Sequence, residues 1–309
     1  MKNSHEARLP QPDALSRQCS APSTVDPYVE WLRARQVPLF GGCGILWRLY
    51  RNTLIPAPLR PVPVHVPQAE GHALLRKSGA LFLRYFSSSS AEPTLFWYVG
   101  CAEYDFDSLS AKMRTKIRRA YKDCEVRKLD ALWIAEHGYG CYSAAFQRYR
   151  HNTPVSAEVF TAEHLDCATG PFEFWGAFVG GNLASYAKCV VEREFVTMVA
   201  SKIDPAYASS LPSYALMDTV LRRYVLEGRK HMNNGFRSID HETNRQEFLL
   251  QFGYRREYCD LRIVYRQSIN LLVNVSYPAK PLIDRARLIG PVRKLRTLLA
   301  QEQIRRSFA

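Results

Sequence analysis

No stretch of the 309-residue chain is apolar over the ~18 consecutive positions that a membrane-spanning helix needs, which argues against such a helix. The opening residues, MKNSHEARLPQPDALSRQCSAPST, lack the apolar core of a secretory signal, so 1–27 is expected to be a polar, disordered tail. Eight cysteines are scattered without any CxxC or CxxH pairing, so neither a disulfide framework nor a metal site is expected. They read as reduced core residues, and a cytoplasmic location follows as the expectation. No fixed-period repeat is visible.

What is present is a globular composition, 47% hydrophobic and 12% aromatic, well outside the disordered range. The net charge of +13 is not evenly spread. Residues 112–128 hold eight Lys/Arg against Asp123 and Glu125, a net of +6. Residues 266–309 hold nine against Asp284 and Glu302, a net of +7, so the remainder of the chain is neutral. Two basic surfaces are expected, not a generally basic protein.

Hydrophobic periodicity gives alternating strands and helices. Leu81–Phe86 and Thr94–Gly100 read as strands, Ser108–Asp123 as an amphipathic helix with Lys or Arg on its outer face, and Glu125–Leu129 as a strand. Ala131–Arg150 reads as helical. Five prolines in 55–67 exclude a helix there. After a short helix capped by Ser156, Phe172–Val179 and Leu183–Val191 form a hairpin around Gly180-Gly181-Asn182, followed by a strand Phe195–Ile203 and a helix Ser213–Glu227. The stretch Phe236–Arg255, FRSIDHETNRQEFLLQFGYR, then passes from a short alternating run (Phe236–Ile239) through a polar loop to a helix stopped by Gly253. A long strand Arg255–Tyr265 and a basic amphipathic helix near 291–306 complete the reading.

The order hairpin, long strand, loop, helix, strand, helix, strand over 172–265, with the Gly253-Tyr254 helix end, resembles the core of GNAT-type acyltransferases. LSAKMRTKIRRAYKDCEVRKLD (109–130) looks like the basic helix and strand of FemAB-like proteins, which carry two such units. The resemblance implies an α/β fold with a mixed central sheet, flanking helices and two GNAT-like units in tandem, the second better formed. The expected boundaries are 28–150 for the first unit, 151–265 for the second and 266–309 for a basic C-terminal tail. It also implies an N-acyltransferase moving an acyl group from acyl-CoA or acetyl-CoA to an amine, such as an amino sugar or cell-envelope precursor in polysaccharide biosynthesis. An aminoacyl-tRNA-dependent transferase and a non-catalytic scaffold of the same fold are the alternatives.

Amine acylation needs a base for the amine proton, donors for the oxyanion and a carrier held in register. Asp240, His241 and Glu242 are the candidate catalytic residues, His241 first because its ordinary pKa lies nearest neutrality. In a continuing strand Asp240 and Glu242 would share one face and His241 the other. The alternative is a helix-capping cluster, with Thr243 or Asn244 as cap and Glu242 or Glu247 at the helix's positive end.

Ser209, Ser210, Ser213 and Tyr214 are the candidate carrier-binding residues, by their hydroxyls and by the start of a helix. The loop 204–214 contains no glycine, unlike the phosphate loop of CoA-dependent relatives, and Leu249 stands where many carry a Tyr general acid. Helix 112–122 has only Tyr121 as an aromatic, which argues against base stacking, and no DNA partner is expected. The tail 266–309 reads as a basic cap or as a contact with an anionic membrane surface.

Overall fold

The computed structural model describes residues 26–148, 153–239, 244–285 and 290–308. The N-terminal half runs α1 (Pro27–Ala34), β1 (Leu39–Gly42), β2 (Ile45–Tyr50), β3 (Thr53–Pro56), α2 (Gln68–Ser78), β4 (Phe82–Tyr85), β5 (Phe96–Cys101), α3 (Ala111–Asp123), β6 (Glu125–Leu129), α4 (Ala131–His137) and α5 (Tyr139–Ala145). The remainder runs α6 (Ala157–Leu165), β7 (Phe172–Val179), β8 (Asn182–Val191), β9 (Phe195–Ile203), α7 (Pro212–Leu221), β10 (His231–Phe236), α8 (Arg245–Leu250), β11 (Arg255–Cys259), β12 (Arg262–Tyr265), α9 (Gln267–Ser276), α10 (Lys280–Arg285) and α11 (Gly290–Arg306).

These strands make two mixed sheets. The smaller has the order β1-β2-β3-β4-β12 and the larger β11-β5-β10-β9-β8-β7-β6. Among the described residues each contains a single parallel pair, β3 with β4 and β9 with β10. Residues 28–150 contribute to both sheets, because β5 and β6 enter the larger one.

The larger sheet is covered on both faces. Successive residues of β7 point to opposite sides. Trp175 and Ala177 pack with Met113 and Ile117 of α3 and Leu216 and Val220 of α7, while Phe174 and Phe178 pack with Ile134 of α4 and Phe160 of α6. The smaller sheet is covered by α2 through Leu74 and Leu75. Six of the seven described cysteines are buried and all seven are free thiols, as expected of core residues.

Two chain crossings join the sheets: β4 to β5, and β11 to β12. The expected single strand 255–265 is broken at Asp260-Leu261, so that its halves lie in different sheets. Asp260 is almost fully buried. Its carboxylate accepts hydrogen bonds from the Ser87 amide and hydroxyl, both at 2.6 Å, from the Ser88 amide at 3.0 Å and from Arg262 Nε at 2.6 Å. One carboxylate therefore pins both crossings together.

Candidate active site

The last parallel pairs between β9 and β10 are His231 with Phe195, Met232 with Val196 and Asn233 with Thr197. Beyond them the strands part, and each has a local cause. On β9 the register with β8 slips between Lys188 and Cys189, leaving Val199 as an unpaired extra residue. On β10 the register with β5 shifts between Asn233 and Phe236, where Gly235 adopts φ 77°, a conformation natural to glycine. β9 continues to Ile203 and β10 to Phe236 without pairing to each other. The two parallel strands thus diverge as a V, and among the described residues no strand pairs with this edge of β9 past Thr197.

Side chains from four elements meet there. Asn233, fully buried, donates from Nδ2 to Thr197 Oγ1 at 2.6 Å and closes the base of the V. Arg245, at the start of α8, donates from Nη2 to Asn234 Oδ1 at 2.8 Å and reaches Met198 Sδ at 3.4 Å, so its guanidinium bridges the parted strands. Asn234 Nδ2 donates to the Tyr254 hydroxyl at 3.1 Å. The Tyr254 hydroxyl lies 3.9 Å from Met217 Sδ on α7.

Burial, with Cys101 and Cys189 beside it, pushes the Tyr254 hydroxyl well above the usual tyrosine value, so it is a proton donor at neutral pH. Lys202, farther along β9, is held below the usual lysine value by burial and then by Arg245. Its ammonium stands over the rings of Phe146 at 4.5 Å and Tyr142 at 5.4 Å. The arrangement offers an extended edge, a fixed cation, a polar amide pair and a protonated phenol.

Asp240, His241 and Glu242 lie outside the described residues, as does Thr243. The chain enters that stretch at Ile239 and leaves it at Asn244, next to Arg245. The expected strand Phe236–Ile239 is instead His231–Phe236, so strand alternation does not extend to Ile239. Asn244 makes no side-chain capping bond to α8.

Ser213 and Tyr214 are the second and third residues of α7, as expected, and Ser213 lies one turn before Met217 on the same helix face. Ser209 and Ser210 end a 3-10 turn, with Ser209 exposed and the Ser210 carbonyl accepting from the Cys124 thiol at 3.3 Å. In place of a glycine the loop turns on Leu211, whose φ of 57° and ψ of 41° are left-handed. Such a conformation costs a non-glycine residue roughly 1–2 kcal/mol.

Few amides are free at this turn. Leu211 N–H bonds to Ala208 O at 3.2 Å, Pro212 has none, and Tyr214 N–H bonds to Leu211 O at 2.9 Å. The turn therefore does not fit the glycine-loop mode of gripping a diphosphate through successive backbone amides. Cations stand beside it: Lys116 of α3 donates to the Tyr214 hydroxyl at 3.1 Å, and Lys112, Arg118, Arg119 and Lys122 are exposed on the same helix. Tyr121 bonds to the fully buried Asp218, which also takes bonds from Tyr104 and from Arg222 at 2.8 Å, locking α3 to α7.

Sequence reasoning passed over Asn233, Asn234, Lys202 and Arg245. The available signal was Asn233-Asn234-Gly235, an amide pair and a flexible residue at the end of a strand.

No family model and no curated protein matches the sequence. Among solved structures, FemX aligns with a TM-score of 0.52 at 9% identity, over 80% of this chain and 93% of that chain. The C-terminal domain of a putative lysylphosphatidylglycerol synthetase from Agrobacterium fabrum aligns with a TM-score of 0.49 at 10% identity, over 75% of this chain and 83% of that one. L-PGS from Bacillus licheniformis aligns with a TM-score of 0.48 at 10% identity, over 83% and 85%. The likeness to FemX is one of fold: a mixed α/β arrangement of two sheets flanked by helices.

Proposed function

We propose that the chain is an N-acyltransferase that moves an acyl group onto an amine within the V between β9 and β10. The observation that carries this reading is the parting of the two strands just past Thr197 and Asn233, lined by Asn234, Arg245 and Tyr254. An extended acyl carrier can pair with the free edge of β9 as an added strand does. The amine nitrogen attacks the acyl carbon, a C–N bond forms, and the bond from that carbon to the carrier breaks. The amine proton passes to a base, for which Asp240, His241 and Glu242 are the candidates, and Tyr254 donates a proton to the departing carrier atom. Arg245 supports the negative charge that develops on the acyl oxygen. In this reading 151–265 carries the chemistry, completed by β5 from the first unit.

Acyl-CoA is the donor in the primary reading, with an amino sugar or another envelope precursor as acceptor. A second reading, an aminoacyl-tRNA donor, is favoured by one observation: the engaged amides of Leu211 and Tyr214 near α3 with its exposed cations. Titrations of acetyl-CoA and of an aminoacyl-tRNA into the full chain separate the two. Saturable binding of either supports transfer by that donor; binding of neither removes both readings and leaves the scaffold.

A further inference from the structure

The C-terminal segment 266–309, with nine Lys/Arg against two carboxylates, divides into two parts of different character. α11 is a clamp. Leu299 is fully buried, and Glu302, 1% exposed, accepts from the Tyr265 hydroxyl at 3.0 Å and from Arg305 and Arg306 at 2.7 Å. Gln301 accepts from Arg84 of β4 at 3.2 Å. These contacts fix the segment to the smaller sheet.

α9 and α10 behave otherwise. The one buried residue of α9 is Val273. Leu271 is 66% exposed, Val275 71% and Leu282 70%. With the exposed Pro278 they recur at spacings of four, three and four along a helical run that passes from α9 through the 3-10 turn Tyr277–Ala279 to α10. That spacing keeps them on one face. Leu272 is 45% exposed beside them. Arg285, and Arg293 and Lys294 of the adjoining α11, are exposed and have no ion pair among the described residues.

We propose that the α9–α10 face lies in the interface of an anionic bilayer, with Leu271, Val275 and Leu282 among the acyl chains and Arg285, Arg293 and Lys294 at the lipid phosphates. Charge decides between occupants. A second copy would bring two segments of net +7 face to face, whereas anionic headgroups neutralise one of them. Among the described residues no helix is long and apolar enough to cross a membrane, so the segment lies on the surface. The inference does not rest on the acyltransferase reading.

The test is co-sedimentation of the full chain with phosphatidylglycerol–phosphatidylcholine vesicles and with phosphatidylcholine vesicles alone. It compares the wild type with Leu271→Ser/Val275→Ser/Leu282→Ser and with Arg285→Gln/Arg293→Gln/Lys294→Gln. Because the altered side chains are mostly exposed, thermal melting is expected to stay unchanged. The wild type is expected to bind the anionic vesicles and to lose roughly tenfold or more in affinity on neutral vesicles and in both variants. Three results overturn the proposal: no binding of the wild type to anionic vesicles, undiminished binding by the apolar variant, or a wild-type dimer in sedimentation velocity that this variant dissolves.

Discussion

The Tyr254 hydroxyl is buried, accepts from Asn234 Nδ2 at 3.1 Å, and is shifted upward in pKa, so it is protonated at neutral pH. Tyr254→Phe keeps the ring and removes the proton. It is expected to lower kcat about 100-fold with little change in donor KM, the usual scale for losing a general acid. Steady-state kinetics with a melting curve checks this, and an unaltered kcat would make Tyr254 a packing residue. The sequence showed Tyr254 only as the aromatic after a helix-ending glycine. Its partner Asn234 lies 20 residues away and Arg245, which bonds to Asn234, 9 residues away, and no local periodicity reports that they meet. Asp240, His241 and Glu242 stood out by residue type and by their place between a short alternating run and a helix, and they lie outside the described residues.

At the scale of elements, the crossing held by Asp260 is the joint on which both sheets depend. Burial alone would raise this carboxyl. The Ser87 hydroxyl, the amides of Ser87 and Ser88 and the Arg262 guanidinium outweigh that and hold it below its usual 3.8. Because the folded value is depressed, its stabilisation is complete above pH 3.8 and is lost as pH falls through the lower folded value. Asp260→Ala leaves the serine amides without their acceptor and is expected to cost about 2–3 kcal/mol, read as a lower urea midpoint with unchanged slope.

Most elements followed from hydrophobic period: α3, the β7–β8 hairpin and β9 lie where the pattern puts them. β10 did not, because a central strand reading Asn-Asn-Gly has neither alternation nor β-branched residues. The break at Asp260-Leu261 was hidden for the opposite reason: strand character continues on both sides of it, and only tertiary pairing divides the two halves.

Across the whole molecule, the two basic segments seen in the sequence occupy different places. One lies on α3 beside the start of α7, the other beyond the smaller sheet on α9–α11. Composition located both but could not tell a docked helix from an exposed one. Within 266–309 that distinction depends on contacts such as Tyr265 with Glu302, formed by residues 37 apart. The alternation of strands and helices was visible as an order of elements, whereas the entry of β5 into the larger sheet was not.

The central claim is that acyl transfer occurs in the V between β9 and β10. Its most direct test follows label from a radioactive acyl donor onto small amines, for the wild type and for Asn234→Leu. That change preserves side-chain bulk but removes the bonds to Arg245 and Tyr254. The wild type is expected to form labelled amide, and Asn234→Leu to form it roughly 100-fold more slowly, with a melting curve showing that the variant is still folded at the assay temperature. Label transferred equally fast by Asn234→Leu would contradict the account, as would no transfer by the wild type from either an acyl thioester or an aminoacyl-tRNA.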